Sequence, residues 1–93
     1  MDEVEARSIL GEVLRKYRAK TYSDLVHLID TQDAFERTGK SGVRYYLEVQ
    51  AAWNSIPNGN LRITVSIDDL GIHTFFPPAE EFVVSPAGQF IGE

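Results

Sequence analysis

The chain has 93 residues, 43% hydrophobic and 25% charged, with no cysteine and a formal net charge of −5 from nine basic and fourteen acidic side chains. Such a composition suits one domain, residues 1–93, with a modest core, and it excludes disulfides and thiolate metal ligands. Phosphate backbones need clustered lysine and arginine, which here crowd only one short stretch, and no apolar run nears the roughly 20 residues that span a bilayer.

The N-terminus is acidic and lacks a signal peptide's basic and apolar regions. These features predict a cytoplasmic protein, whole from Met1 to Glu93, with no nucleic-acid partner and no membrane association. Residues 2–19 read as a helix, because Ala6, Ile9, Leu10, Val13, Leu14 and Tyr17 line one face. Asp2, Glu3 and Glu5 occupy its first turn, and Arg15, Lys16, Arg18 and Lys20 its end. Both groups complement the helix dipole, so the basic run is a helix-end feature before it is a binding patch. Residues 22–30 predict a second helix, with Thr21 and Asp24 at capping-box spacing and Tyr22, Leu25, Val26 and Ile29 as the apolar stripe. His27 lies within it as an ordinary structural side chain, since nothing nearby has ligand spacing.

Beyond Asp33 the period falls from 3.6 to 2. In 43–54, Val43, Tyr45, Leu47, Val49, Ala51 and Trp53 alternate with Arg44, Tyr46, Glu48, Gln50 and Ala52. In 60–68, Leu61, Ile63, Val65 and Ile67 alternate with Arg62, Thr64 and Ser66. Half-buried antiparallel strands have this pattern. Further strands are predicted at 34–38, 72–76, 81–85 and 89–91. "IPNGN" and "SPAGQ" both place a proline two residues before a glycine, the pattern of a tight hairpin loop whose glycine takes positive φ. Equating them pairs Ile56 with Asn60, Trp53 with Ile63 and Val49 with Ile67 in the first hairpin, and Val84 with Phe90 in the second. The Gly39–Gly42 turn is expected to set Phe35 beside Tyr45 and Glu36 beside Arg44 as a cross-strand ion pair.

The stretch "SIDDLGIHTFFPPAEEF" gathers Asp68, Asp69 and His73 and invites a metal or acid/base reading. Aspartates at a strand end also serve turns, by bonding nearby backbone N–H groups. No calcium-loop spacing is present and the second histidine is remote, so turn chemistry is the preferred reading. A hydrolase or metal enzyme centred there is kept as a third possibility. Phe75 and Phe76 fall on opposite faces of the strand predicted there. Pro77 and Pro78 are expected to end that strand, leaving Glu80 and Glu81 in a connection. No nucleophile elbow, Walker loop or dinucleotide glycine pattern occurs anywhere in the chain.

"YSDLVHLID", "SGVRYYLEVQAAW", "LRITVSIDD", "FFP" and "SPAGQFIGE", together covering residues 22–93, resemble a family of short, mostly uncharacterised bacterial proteins. In that family an acidic residue often follows the tryptophan; here Asn54 does, which weakens a carboxylate site at that strand end. The resemblance implies a bacterial, cytosolic α+β protein and no particular mechanism.

The sequence therefore predicts an α+β fold: two N-terminal helices on one face of a five- to six-stranded antiparallel meander. The leading functional expectation is a non-catalytic protein-interaction module, binding a protein partner or forming a homodimer. Its surface would be the even-numbered face with Arg44, Tyr46, Glu48, Gln50, Arg62, Thr64 and Phe76. The alternative is a small-molecule pocket between helices and sheet, lined by Tyr17, Tyr45, Trp53 and Phe75. No cofactor or metal is expected.

Overall fold

The computed structural model describes residues 2–69 and 77–93. Two helices, α1 (Glu3–Arg18) and α2 (Tyr22–Val26), precede five strands: β1 (Asp33–Thr38), β2 (Arg44–Trp53), β3 (Leu61–Asp69), β4 (Ala79–Val84) and β5 (Phe90–Ile91). The strands form one antiparallel sheet in chain order, an α+β architecture.

Sequence signals account for the helix starts. The Asp2 carboxylate accepts the Glu5 N–H at 3.0 Å, and the Thr21 hydroxyl oxygen accepts that of Asp24 at 3.1 Å, so each satisfies an orphan donor of its first turn. After Val26 the second helix tightens into a 3₁₀ turn, His27–Ile29, which seats Leu28 in the core. The basic end of α1 is also tied down locally. Arg18 donates two bonds to the Glu93 carboxylate at 2.5 and 2.6 Å, and its guanidinium lies 4.0 Å from the centre of the Phe90 ring.

The core is the odd face of the sheet closed by α1. Tyr45, Leu47, Val49, Leu61, Ile63, Val65 and Ile67 are fully buried, and Ala6, Ile9, Leu10, Val13 and Tyr17 meet them from the helix. α1 lies over β3 and β4, and the 3₁₀ turn lies over β2. Glu5 binds the first hairpin to α1: its carboxylate accepts the Ser41 hydroxyl at 2.6 Å, the Ser41 N–H at 3.0 Å and the Tyr45 hydroxyl at 2.9 Å. The bonds from Ser41, first from its hydroxyl and then from its N–H, hold the Glu5 carboxyl below its ordinary pKa.

The turns correct the predicted registers. Trp53 faces Leu61, Ala51 faces Ile63, Val49 faces Val65 and Leu47 faces Ile67, two residues from the expected pairing. The cause is a longer loop. Asn54 N–H bonds the Asn60 carbonyl at 2.8 Å, and inside that bond Gly59 N–H closes a β-turn onto Ile56 O. Pro57 at the second position and Asn58 at φ 65° in the third make it type II, so the left-handed residue is Asn58 and not Gly59. A shift by two preserves the faces, which a shift by one would have exchanged.

The first hairpin is displaced likewise: Phe35 faces Leu47 and Glu36 faces Tyr46. The reason is Gly42 at φ 90°, which occupies the last position of a tight Lys40–Gly42 loop. Glu36 and Arg44 still form an ion pair, reached diagonally. The Ser85–Gln89 loop repeats this geometry with Gly88 at φ 84°, and it gives the predicted Val84–Phe90 pair, with Val83 opposite Ile91 beside it.

Glu80 and Glu81 lie inside β4, not in a connection. Pro78 cannot donate to the ladder, but its carbonyl accepts Ile67 N–H at 3.0 Å and leads directly into the strand. β4 pairs directly with β3, and the strand predicted over 72–76 lies outside the described residues.

Added Cβ atoms at Gly42 and Gly88 would meet no neighbour within 4 Å, so the cost of alanine there is backbone strain alone. Gly42→Ala, Gly88→Ala and Asn58→Ala are each expected to lower unfolding stability by about 1 kcal/mol in urea titrations. Three unchanged midpoints would show that the left-handed residues are wrongly placed.

Candidate functional site

The helices consume one face of the sheet. The other face is built by the alternate residues, and among the described residues no helix or strand covers it. Its rows follow from the register: Glu36–Tyr46–Asp68; Ala34–Glu48–Ser66–Ala79; Gln50–Thr64–Glu81; and Ala52–Arg62–Val83–Ile91. Six of the seven interaction residues expected from sequence share this surface: Arg44, Tyr46, Glu48, Gln50, Arg62 and Thr64. The seventh, Phe76, lies outside the described residues.

The surface is more polar than the sequence suggested. Tyr46 is its one aromatic among the described residues, and an apolar corner of Ala52, Val83 and Ile91 surrounds Arg62. Among the described residues of this face, four carboxylates, on Glu36, Glu48, Asp68 and Glu81, stand against two guanidinium groups, on Arg44 and Arg62. Arg44 is engaged by Glu36, and Arg62 approaches Glu81 at 3.9 Å. Exposed pairs of this kind contribute little to stability, which leaves their side chains available to a partner. Asp68 Oδ1 is enclosed and has no hydrogen-bond partner among the described residues.

The expected aromatic pocket is distributed differently. Tyr45 and Tyr17 are both buried, but Tyr45 reaches Glu5 in the first turn of α1 and Tyr17 sits in its last turn. At 1.5 Å per residue the two are roughly 18 Å apart along the helix. Trp53 is half-buried at the far end of β2, and Phe75 lies outside the described residues. Tyr17 borders an open cavity of about 430 Å³ with Lys20, Asp24, His27, Leu28, Asp30, Thr31 and Asp33. A second cavity, of about 530 Å³, lies between the start of α1 and the first hairpin, beside Glu5, Glu12 and Arg37. Tyr45 and Trp53 line neither. Nothing in the sequence marked the first cavity, because its walls come from three elements whose side chains are individually ordinary.

Asp68 and Asp69 are the last residues of β3, opposite Tyr46 and Tyr45, so their side chains leave opposite faces of the sheet. They do not form a paired-carboxylate site. His73 lies outside the described residues, and among those described no group of three or more metal-ligating side chains converges. No helix among them is long and apolar enough to cross a membrane.

The comparisons with known proteins add no relative: no family model, no curated protein and no solved structure matches the chain. The functional reading therefore rests on geometry.

Two phenols give the buried face a titration signature. Tyr17 donates to Asp33 Oδ2 at 2.6 Å; burial first, then that carboxylate, pushes its pKa well up. Burial and the Glu5 carboxylate push Tyr45 up to about 12. In the unfolded chain both ionise near pH 10. A pKa raised by folding contributes stability that is complete below pH ~10 and is lost as pH rises through the folded value. Urea unfolding from pH 8 to 12 should show stability falling above pH ~10, less steeply in Tyr17→Phe. A flat profile would contradict the two phenol–carboxylate bonds.

Proposed function

We propose that this protein is a non-catalytic protein-interaction module whose open sheet face docks a protein partner. The observation that carries this reading is the asymmetry of the sheet. Five strands present two faces, and α1, α2 and the 3₁₀ turn pack on one of them. The other face holds a broad surface of fixed register. On it Tyr46, Glu48, Gln50, Arg62 and Thr64 hold set positions, and a rigid backbone lowers the ordering cost of binding.

The chemistry of the face describes the partner. Carboxylates outnumber guanidinium groups, so the matching surface carries an excess of basic side chains. The Ala52–Val83–Ile91 corner takes an apolar contact, and Tyr46 and Arg62, residue types enriched in interface centres, supply the anchors. The −5 net charge acts in the same direction by steering a basic partner at long range.

Affinity capture from an extract of the source organism tests the reading with a matched control. The wild type and Arg7→Glu, an exposed change on the far side of α1, should recover the same protein, while Tyr46→Glu with Arg62→Glu should lose it at least tenfold. Equal recovery by all three, or no specific protein with any of them, would contradict the proposal.

A further inference from the structure

The sheet has two edges, and they are not alike. On one side the edge is β5, two residues long, and beside it the Ala79–Phe82 stretch of β4, which no strand among the described residues covers and which follows directly on Pro77 and Pro78; beyond β5 Gly92 turns at φ 84° and Glu93 is tied back to Arg18. Short, tied edges resist further strand pairing. The β1 edge is six residues long, and all but half-buried Phe35 are exposed.

The hydrogen-bond phase of β1 is set by its turn. Gly39 N–H bonds Val43 O at 2.8 Å, so in the same register Arg37, Phe35 and Asp33 exchange bonds with Tyr45, Leu47 and Val49. The N–H and C=O groups of Ala34, Glu36 and Thr38 therefore point away from the sheet. This is a ready template for an added strand.

We propose that the added strand is β1 of a second copy of this chain, joined antiparallel about a two-fold axis at Phe35. The charges select this occupant and this register. Antiparallel pairing of β1 with itself can match the outward groups in three ways that keep at least two of them bonded. Centring on Glu36 sets Glu36 against its own copy, and centring on Arg37 sets Arg37 against its own copy. Like charges directly opposite are destabilising. Centring on Phe35 sets Asp33 opposite Arg37 on both sides of the axis, Ala34 opposite Glu36, and Phe35 against Phe35.

That register closes about four backbone hydrogen bonds between Ala34 and Glu36 of the two chains. Phe35 occupies the non-hydrogen-bonded position at the axis, where facing side chains come closest. The ionic pairs do not displace existing bonds. Asp33 uses Oδ2 for Tyr17, and Arg37 uses one terminal nitrogen for Glu12, so an oxygen and further N–H groups remain for the cross-chain pair. The charges that deter indiscriminate edge pairing thus become matched in one symmetric arrangement. The result is a continuous ten-stranded sheet with both open faces on one side, which would present the docking surface twice.

Sedimentation velocity at tens of micromolar tests this with variants that separate edge from fold. Wild type should sediment as a dimer. Ala34→Pro removes an outward N–H that the β1–β2 ladder does not use, and should be monomeric with an unchanged circular dichroism spectrum. Arg37→Asp places like charges at both ends of the pairing and should also be monomeric. Asp33→Arg combined with Arg37→Asp exchanges the charges and should restore the dimer. A monomeric wild type would overturn the proposal. So would a dimer that survives Ala34→Pro, or one lost only in Tyr46→Glu with Arg62→Glu.

Discussion

Everything in this molecule depends on the burial of one set of alternate strand residues beneath a single helix. Tyr45, Leu47 and Val49 on β2 and Leu61, Ile63, Val65 and Ile67 on β3 are fully enclosed, and α1 supplies the opposing apolar stripe. Side chains alternate strictly along a strand, so committing these residues inward commits Tyr46, Glu48, Gln50, Arg62 and Thr64 outward. Two short helices cannot cover both faces of a five-stranded sheet, and here they cover one. The open face follows from the same packing that makes the fold.

The helix does more than fill volume. Its first turn holds the β1–β2 hairpin through Glu5, Ser41 and Tyr45, and its last turn holds β1 through Tyr17 and Asp33 and the C-terminus through Arg18 and Glu93. Each buried phenol meets a carboxylate at the rim of the core, which satisfies the hydroxyl without burying a bare charge. The sheet is thus anchored to α1 at both ends, and β5 is blunted. Among the described residues no further strand pairs with the β1 edge, and α1 contacts its inward side chains, Asp33 and Arg37.

Much of this was legible in the sequence, for reasons particular to certain residues. The change of period after Asp33 marks the fold class, and the alternation of Leu47, Val65 and their neighbours marks the buried face. Registers were harder, because proline and glycine at equivalent spacing do not fix which residue turns left-handed. In Ser85–Gln89 it is Gly88, whereas in the β2–β3 loop Asn58 takes that role and lengthens the loop. Asparagine tolerates positive φ, so "PNG" admits both solutions. The even-numbered face was readable from alternation alone. Its acidic balance and the convergence of α1, α2 and β1 on a cavity beside Tyr17 were not, since they arise from tertiary approach between distant segments.

Among the described residues the sheet is closed on its inner face by the helices and is left with a six-residue open edge along β1. Residue-resolved amide hydrogen exchange measures this directly, because each β1 N–H points either into the ladder or out of it. At low micromolar concentration Phe35 and Arg37 should exchange slowly while Ala34 and Glu36 exchange fast. At several hundred micromolar, Ala34 and Glu36 should become protected and residues of the open face, such as Thr64, should not change. Slow exchange at Ala34 and Glu36 at every concentration, or fast exchange at Phe35 and Arg37, would contradict the account.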